Sequence, residues 1–157
     1  MIEKEKTAEE ISELLGLEPL PFEGGMWTQT LKDANSTAIY YLLSENDFSA
    51  MHKLESDEVY HYYAGAPAQM LLLSPDGGID QPVLGSDLDS GQRPQVIVES
   101  GVWQGSSTMG KWTLLGTTMS PPYSQDFFKL GDREELVKGW PDADKKIQEL
   151  TREDISG

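Results

Sequence analysis

Over most of this chain, apolar and polar positions alternate with a period of two, in runs too short for ordinary helices. The alternation predicts strands over residues 26–31, 36–43, 48–54, 58–63, 69–73, 79–84, 95–98, 102–106, 111–118 and 126–130. Turn-forming residues separate them: Pro75-Asp76-Gly77-Gly78, Ser90-Gly91, Ser100-Gly101 and Pro121-Pro122. Short, evenly spaced strands divided in this way favour an antiparallel sandwich or barrel. Only the two ends carry a helical period. Thr7 and Glu10 form a capping box, Ile11, Leu14 and Leu15 make an i, i+3, i+4 stripe, and Gly16 stops the helix, giving about residues 7–16. Asp132 with Glu135 caps a second short helix. Pro141 opens a third, with Ile147 and Leu150 on one face, so these helices span about residues 132–153. No internal repeat or low-complexity run breaks the pattern. Residues 1–157 therefore read as a single domain, with its barrel over about residues 26–130.

Composition removes several function classes. An apolar share of 38% with four Trp supports a packed core. No apolar run approaches the length of a membrane span, so no membrane partner is expected. Residues 1–10 are charged and lack the apolar stretch of a secretory signal. The absence of Cys excludes disulfides, thiolate nucleophiles and Cys-based zinc sites. A cytoplasmic location is expected, and the sequon Asn35-Ser36-Thr37 reads as a chance match. A net charge of −15 repels phosphate backbones, so no nucleic-acid partner is expected, and the charge serves solubility first. With two His and no Gly-x-Ser-x-Gly elbow, no Ser–His–acid arrangement is supported, and no phosphate loop or dinucleotide fingerprint is present.

Candidate chemistry concentrates in residues 52–65, His52-Lys53-Leu54-Glu55-Ser56-Asp57-Glu58-Val59-Tyr60-His61-Tyr62-Tyr63-Ala64-Gly65. If Glu58 points into the barrel, alternation sends Tyr60 and Tyr62 inward and Val59, His61 and Tyr63 outward. On the preceding strand, His52 shares a face with Phe48, Ala50 and Leu54. A hairpin between the two strands would bring His52 and Glu58 together among aromatic residues, as small-molecule pockets are commonly lined. Glu23-Gly24-Gly25 reads either as a plain turn or as a pocket lip with Glu23 facing the ligand. Trp27 and Trp112 read as core or pocket-rim aromatics.

The same run resembles the first signature motif of the cupin superfamily. Asn46 stands at the opening Gly, His52 at the first His, Leu54 at the second His, and Glu58 and Gly65 at the Glu and the closing Gly. The second motif is matched by Gly101, with Glu99 at its Pro, Gln104 at its His, Thr108 at its Asn, and Gly91 two residues out of register for its opening Gly. These departures are similar to those of the cupin 5 family. That resemblance is carried by Thr7-Ala8-Glu9-Glu10-Ile11, Glu23-Gly24-Gly25, Ser36-Thr37-Ala38-Ile39-Tyr40-Tyr41-Leu42-Leu43, the run 52–65, Gly91-Gln92-Arg93-Pro94-Gln95, Gly101-Val102-Trp103-Gln104, Trp112-Thr113-Leu114-Leu115-Gly116 and Asp126-Phe127. Leu136, Pro141, Ile147 and Leu150 extend it to the C-terminus. The chain departs from the family at Met26-Trp27-Thr28, where an aromatic pair and an Arg are frequent, and at Pro121-Pro122-Tyr123, where the family favours Pro-Gly-Phe. The resemblance implies a mainly β jelly-roll barrel (a double-stranded β-helix) with short N- and C-terminal helices. It also implies a frequent homodimer and no well-established activity.

Three functions are expected to compete. The first is binding of a small polar or sugar-like metabolite without an obligatory metal or other cofactor, using His52, Glu58, Tyr60, Tyr62 and Gln104. The second is a metal-independent sugar isomerase or epimerase. His52 would be its base, tuned by Glu58, with Tyr60 or Tyr62 as proton donor, as in metal-free cupin-like epimerases that use a His and a Tyr. The third is a structural or storage-like cupin with no working site, His52 and Glu58 being a buried pair. A metal would fall to His52, Glu58 and Gln104, but Leu54 removes one imidazole and Gln104 replaces another with an amide. Asp87-x-Asp89-x-Gly91 is not a calcium loop, because it lacks a third ligand before Gly and has Val98 where Glu is needed.

Overall fold

The computed structural model describes residues 5–152. Residues 1–4 of the charged N-terminal stretch and residue 153, the expected end of the last helix, lie outside the described residues. Helix α1 (Ala8–Leu15) starts where expected: the Thr7 side chain accepts from the Glu10 amide at 3.1 Å, and Gly16 ends the helix. The strands that follow are β1 (Glu18–Pro19), β2 (Met26–Lys32), β3 (Thr37–Ser44), β4 (Ser49–Lys53), β5 (Glu58–Gly65) and β6 (Ala68–Leu73). After them come β7 (Ile79–Asp80), β8 (Val83–Leu84), β9 (Gln95–Val98), β10 (Trp103–Thr108), β11 (Trp112–Met119) and β12 (Lys129–Leu130). Helices α2 (Arg133–Gly139) and α3 (Asp144–Glu149) close the chain.

The strands form two antiparallel sheets, one in the order β1-β2-β3-β11-β5-β9 and the other β12-β4-β10-β6-β7, with β8 also on β6. This is the mainly β jelly-roll that the resemblance implied, and an instance of the antiparallel sandwich or barrel that the strand pattern favoured. Two predicted strands differ in detail. Residues 79–84 divide into β7 and β8 at Pro82, which has no N–H to continue a ladder. Residues 126–130 shorten to β12, because Gln125–Phe127 turns as a 3₁₀ helix capped by the Ser124 hydroxyl. The two-residue strand β1 gave no pattern long enough to predict.

Three apolar clusters fix the layers. Tyr41, Leu43, Tyr60, Met70, Leu72 and Leu115 fill the space between the sheets. Ile11 of α1 packs on Leu42 and Trp112, on the outside of the first sheet. Leu136, Ile147 and Leu150 of the C-terminal helices cover Met51, Leu71, Leu73 and Trp103, on the outside of the second. Strand β4 is therefore buried on both faces: Met51 lies under the helices, while Ala50 and His52 lie inside the barrel. Phe48, expected on the His52 face, instead packs with the helix-side cluster and under the Arg152 guanidinium.

Candidate ligand-binding cavity

The expected β4–β5 hairpin does not form. The chain crosses from one sheet to the other between Lys53 and Glu58, so His52 and Glu58 reach the interior from opposite walls. Alternation sets the face of a side chain but not its sheet, and both residues point inward all the same. They line a cavity of about 290 Å³ whose walls include Leu20, Trp27, Ile39, Tyr41, Leu54, Tyr60, Met119, Tyr123 and Phe128. Glu23, Gln29, Thr37, Thr117 and Gln125 add its remaining polar groups.

His52 is held on three sides. Its Nδ1 lies 2.7 Å from the Ala50 carbonyl, which can only accept, so Nδ1 carries a proton. The imidazole stacks on Phe128 with ring centroids 5.4 Å apart. Its Nε2 lies 3.3 Å from Glu23 Oε1, a contact that is attractive only when a proton sits between the two atoms. The Ser49 hydroxyl donates to the other Glu23 oxygen at 3.1 Å.

Glu23 owes its position to the loop between β1 and β2. Gly24 and Gly25 have φ of 97° and 82°, and a side chain at Gly25 would run into the Tyr41 ring. The Gly25 amide donates to Asp47 Oδ2 at 2.7 Å, and the Tyr41 hydroxyl donates to the Gly24 carbonyl at 2.5 Å. The Glu23 carbonyl accepts from the Ala50 amide at 2.7 Å and from Arg152 Nη2 at 3.1 Å. The turn and the lip readings of Glu23-Gly24-Gly25 therefore describe one arrangement: the turn aims the carboxylate into the cavity.

Glu58 is buried on the facing wall. Gln104 Nε2 donates to its Oε1 at 3.1 Å, and the Tyr60 and Thr117 hydroxyls lie beside the same carboxylate. Burial pushes the Glu58 carboxyl above its ordinary value, against the pull of the nearby His52 charge. Burial, then the charge of Glu58, drives the Tyr60 phenol well above its ordinary value; burial, then Glu23, does the same for Tyr41. Both phenols therefore stay protonated at neutral pH.

The five sequence-predicted site residues separate into three groups. His52, Glu58 and Tyr60 line the cavity. Gln104 does not line it; it stands behind Glu58, and its own carbonyl oxygen has no hydrogen-bond partner among the described residues. Tyr62 is the correction. It lies one strand repeat beyond Tyr60, about 7 Å further along β5, and its hydroxyl donates to the Gly65 carbonyl rather than entering the cavity. His61 faces outward as expected, 3.0 Å from the Thr118 hydroxyl and stacked on Tyr63. Trp27 lines the cavity, whereas Trp112 packs under α1. Thr117, Met119, Tyr123 and Phe128 were missed, since each lies outside the motif and reaches the cavity only through pairing or chain return.

A cupin metal does not fit these donors. Leu54 presents an apolar wall where the second imidazole would stand, and Gln104 turns its amide nitrogen to Glu58. Both nitrogens of His52 have protein partners. Among the described residues, no group of three or more His, Cys, Asp or Glu side chains is arranged to hold a metal ion.

The barrel and its inward motif define a cupin. The family model described as Cupin superfamily (DUF985), Cupin 5, matches residues 9–131, and the chain belongs to this family. Among solved structures, it is similar to protein SO0799 from Shewanella oneidensis, with 29% identity and a TM-score of 0.88 over 96% of this chain and 100% of that one. A hypothetical protein from Leishmania major is 24% identical, with a TM-score of 0.88 over 94% of this chain and 100% of its own. Oxalate decarboxylase from Bacillus subtilis shares the fold alone: 10% identity, a TM-score of 0.59, 85% of this chain and 37% of that one. No curated protein matched the sequence.

Proposed function

We propose that the protein binds a small polar, sugar-like metabolite inside the barrel, without an obligatory metal. The observation that carries this reading is the cavity: about 290 Å³, mostly apolar and aromatic, with a few polar groups held in place. Glu23 and His52 are fixed by their neighbours before any ligand arrives, which lowers the ordering cost of binding. Thr37, Gln29 and Gln125 are placed to meet hydroxyl groups. A thermal-shift screen against sugars, amino sugars, polyols and nucleosides tests the reading. A true ligand at about a hundred times its Kd adds about 2.7 kcal/mol, which raises Tm by several degrees. His52→Ala should lose that rise. A full screen without a hit, or a His52→Ala protein that responds like wild type, would sink the proposal.

Proton transfer is the second reading, favoured by the His52 Nε2–Glu23 Oε1 contact of 3.3 Å. His52 is the more enclosed member, with 2% of its side chain exposed against 13% for Glu23. In this reading Glu23 takes the proton from the ligand with His52 behind it, whereas the sequence suggested His52 as the base, tuned by Glu58. Deuterium from solvent should then enter a bound hydroxy-carbonyl compound in wild type and not in Glu23→Gln. Equal incorporation in both proteins excludes this reading.

A further inference from the structure

We infer that the cavity selects its ligand by charge, taking a small organic cation, a ring-sized molecule that carries an ammonium group, in preference to a carboxylate or a phosphate. The inference rests on the proposal that the cavity binds a small molecule, and it names the class. Two carboxylates, Glu23 and Glu58, line the cavity, and among the described residues neither Lys nor Arg does. Three cations near the cavity walls are committed elsewhere. Arg152 Nη2 bonds the Glu23 and Phe48 carbonyls and Asp47 Oδ1, on the outer side of the loop. Lys53 and Lys129 lie over the Trp103 ring, in the helix-side cluster.

His52 turns its Nε2 to Glu23 at 3.3 Å, away from Glu58. Glu58 is left with neutral donors: the Gln104 amide at 3.1 Å and the hydroxyls of Tyr60 and Thr117. A buried carboxylate hydrogen-bonded only by neutral groups is costly, and a ligand ammonium would supply the direct ionic partner. The walls agree with this. Phe22, Trp27, Tyr41, Tyr60, Tyr123 and Phe128 offer aromatic surface, which attracts ammonium groups once water is excluded. A carboxylate ligand would meet Glu23 and Glu58 and, among the described residues that line the cavity, no Lys or Arg to offset its lost hydration.

The test uses three probes on one ring: cyclohexylamine, cyclohexanol and cyclohexanecarboxylate, at neutral pH. Affinity is read by calorimetry and by quenching of Trp fluorescence, since Trp27 lines the cavity. The amine should bind about tenfold or more tighter than the alcohol, a difference of about 1.4 kcal/mol, and the carboxylate should bind weakest. Glu58→Gln should weaken the amine far more than the alcohol, so that the amine's advantage is lost; Glu23→Gln serves the same purpose if the first variant does not fold. Alcohol binding with no preference for the amine, or a preference that survives both substitutions, overturns the inference and leaves the binding proposal standing. Binding of none of the three overturns the inference, while the binding proposal stands or falls by the thermal-shift screen.

Discussion

Glu58 is a carboxyl group whose surroundings favour its uncharged form. Burial raises it above its ordinary value of 4.5, and the opposing His52 charge does not cancel the effect. The folded-state value thus lies above the unfolded one. The uncharged group's contribution to stability is complete below about 4.5 and is lost as pH rises through the folded value. Glu58→Gln keeps the shape and removes the titration. The variant should gain on wild type as pH rises from about 4.5 to neutrality, read as the difference between their urea midpoints. Midpoints that run parallel across that range would show that Glu58 carries no such cost. The residue itself was legible in the sequence, because a polar group inside an aromatic alternating strand stands out. So was His52. Glu23 was half legible: two glycines after a Glu signal a turn, but the carbonyl and amide contacts to Ala50, Asp47 and Arg152 that aim it come from distant segments. Tyr62 was misplaced because alternation gives a face and says nothing of depth along the barrel.

Strand β4 shows why element order was harder to read than element identity. Its four buried residues, Ser49, Ala50, Met51 and His52, do not alternate in burial, since α2 and α3 cover one face and the barrel encloses the other. The helices were legible from the Asp132 cap and the Ile147–Leu150 face, yet nothing local said that they would dock on Met51. The docking has a functional consequence. The Met51 amide donates to the Leu150 carbonyl at 2.8 Å, and the Gly131 amide donates to the Met51 carbonyl at 2.8 Å. The strand that presents His52 is thereby tied to the chain's last helix and to the approach to α2. β4 is also paired with β12 and β10, opposite Leu130 and Gln104 at His52. A group fixed by so many neighbours has little freedom to reorganise on binding, which is what a preformed cavity needs. The β4–β5 connection was misread for a related reason. A short link suggests a hairpin, but a jelly-roll also uses short links to pass from one sheet to the other.

The whole molecule carries a net charge of −15, which opposes self-association through long-range repulsion. A homodimer, implied by the family resemblance, therefore needs a surface whose apolar contact outweighs that repulsion. We propose the outer face of the first sheet beside its β9 edge. Ile97 on β9 is 62% exposed and Tyr63 on β5 is 50% exposed. Tyr63 stacks on His61 and meets Tyr40 edge-on, with centroids 6.4 and 6.1 Å apart, giving a cluster of rings on this face. The other end of this face is already covered by α1. Apolar association against net repulsion strengthens as salt screens the charge, the opposite of an interface held by ion pairs. Sedimentation velocity should show the dimer fraction rising with salt in wild type. Ile97→Glu should shift the population to monomer at every salt concentration with little change in Tm, because this side chain contributes little to the fold while it stands in water. A wild-type protein that stays monomeric at high salt, or an Ile97→Glu protein that dimerises as well as wild type, would remove this face from the assembly.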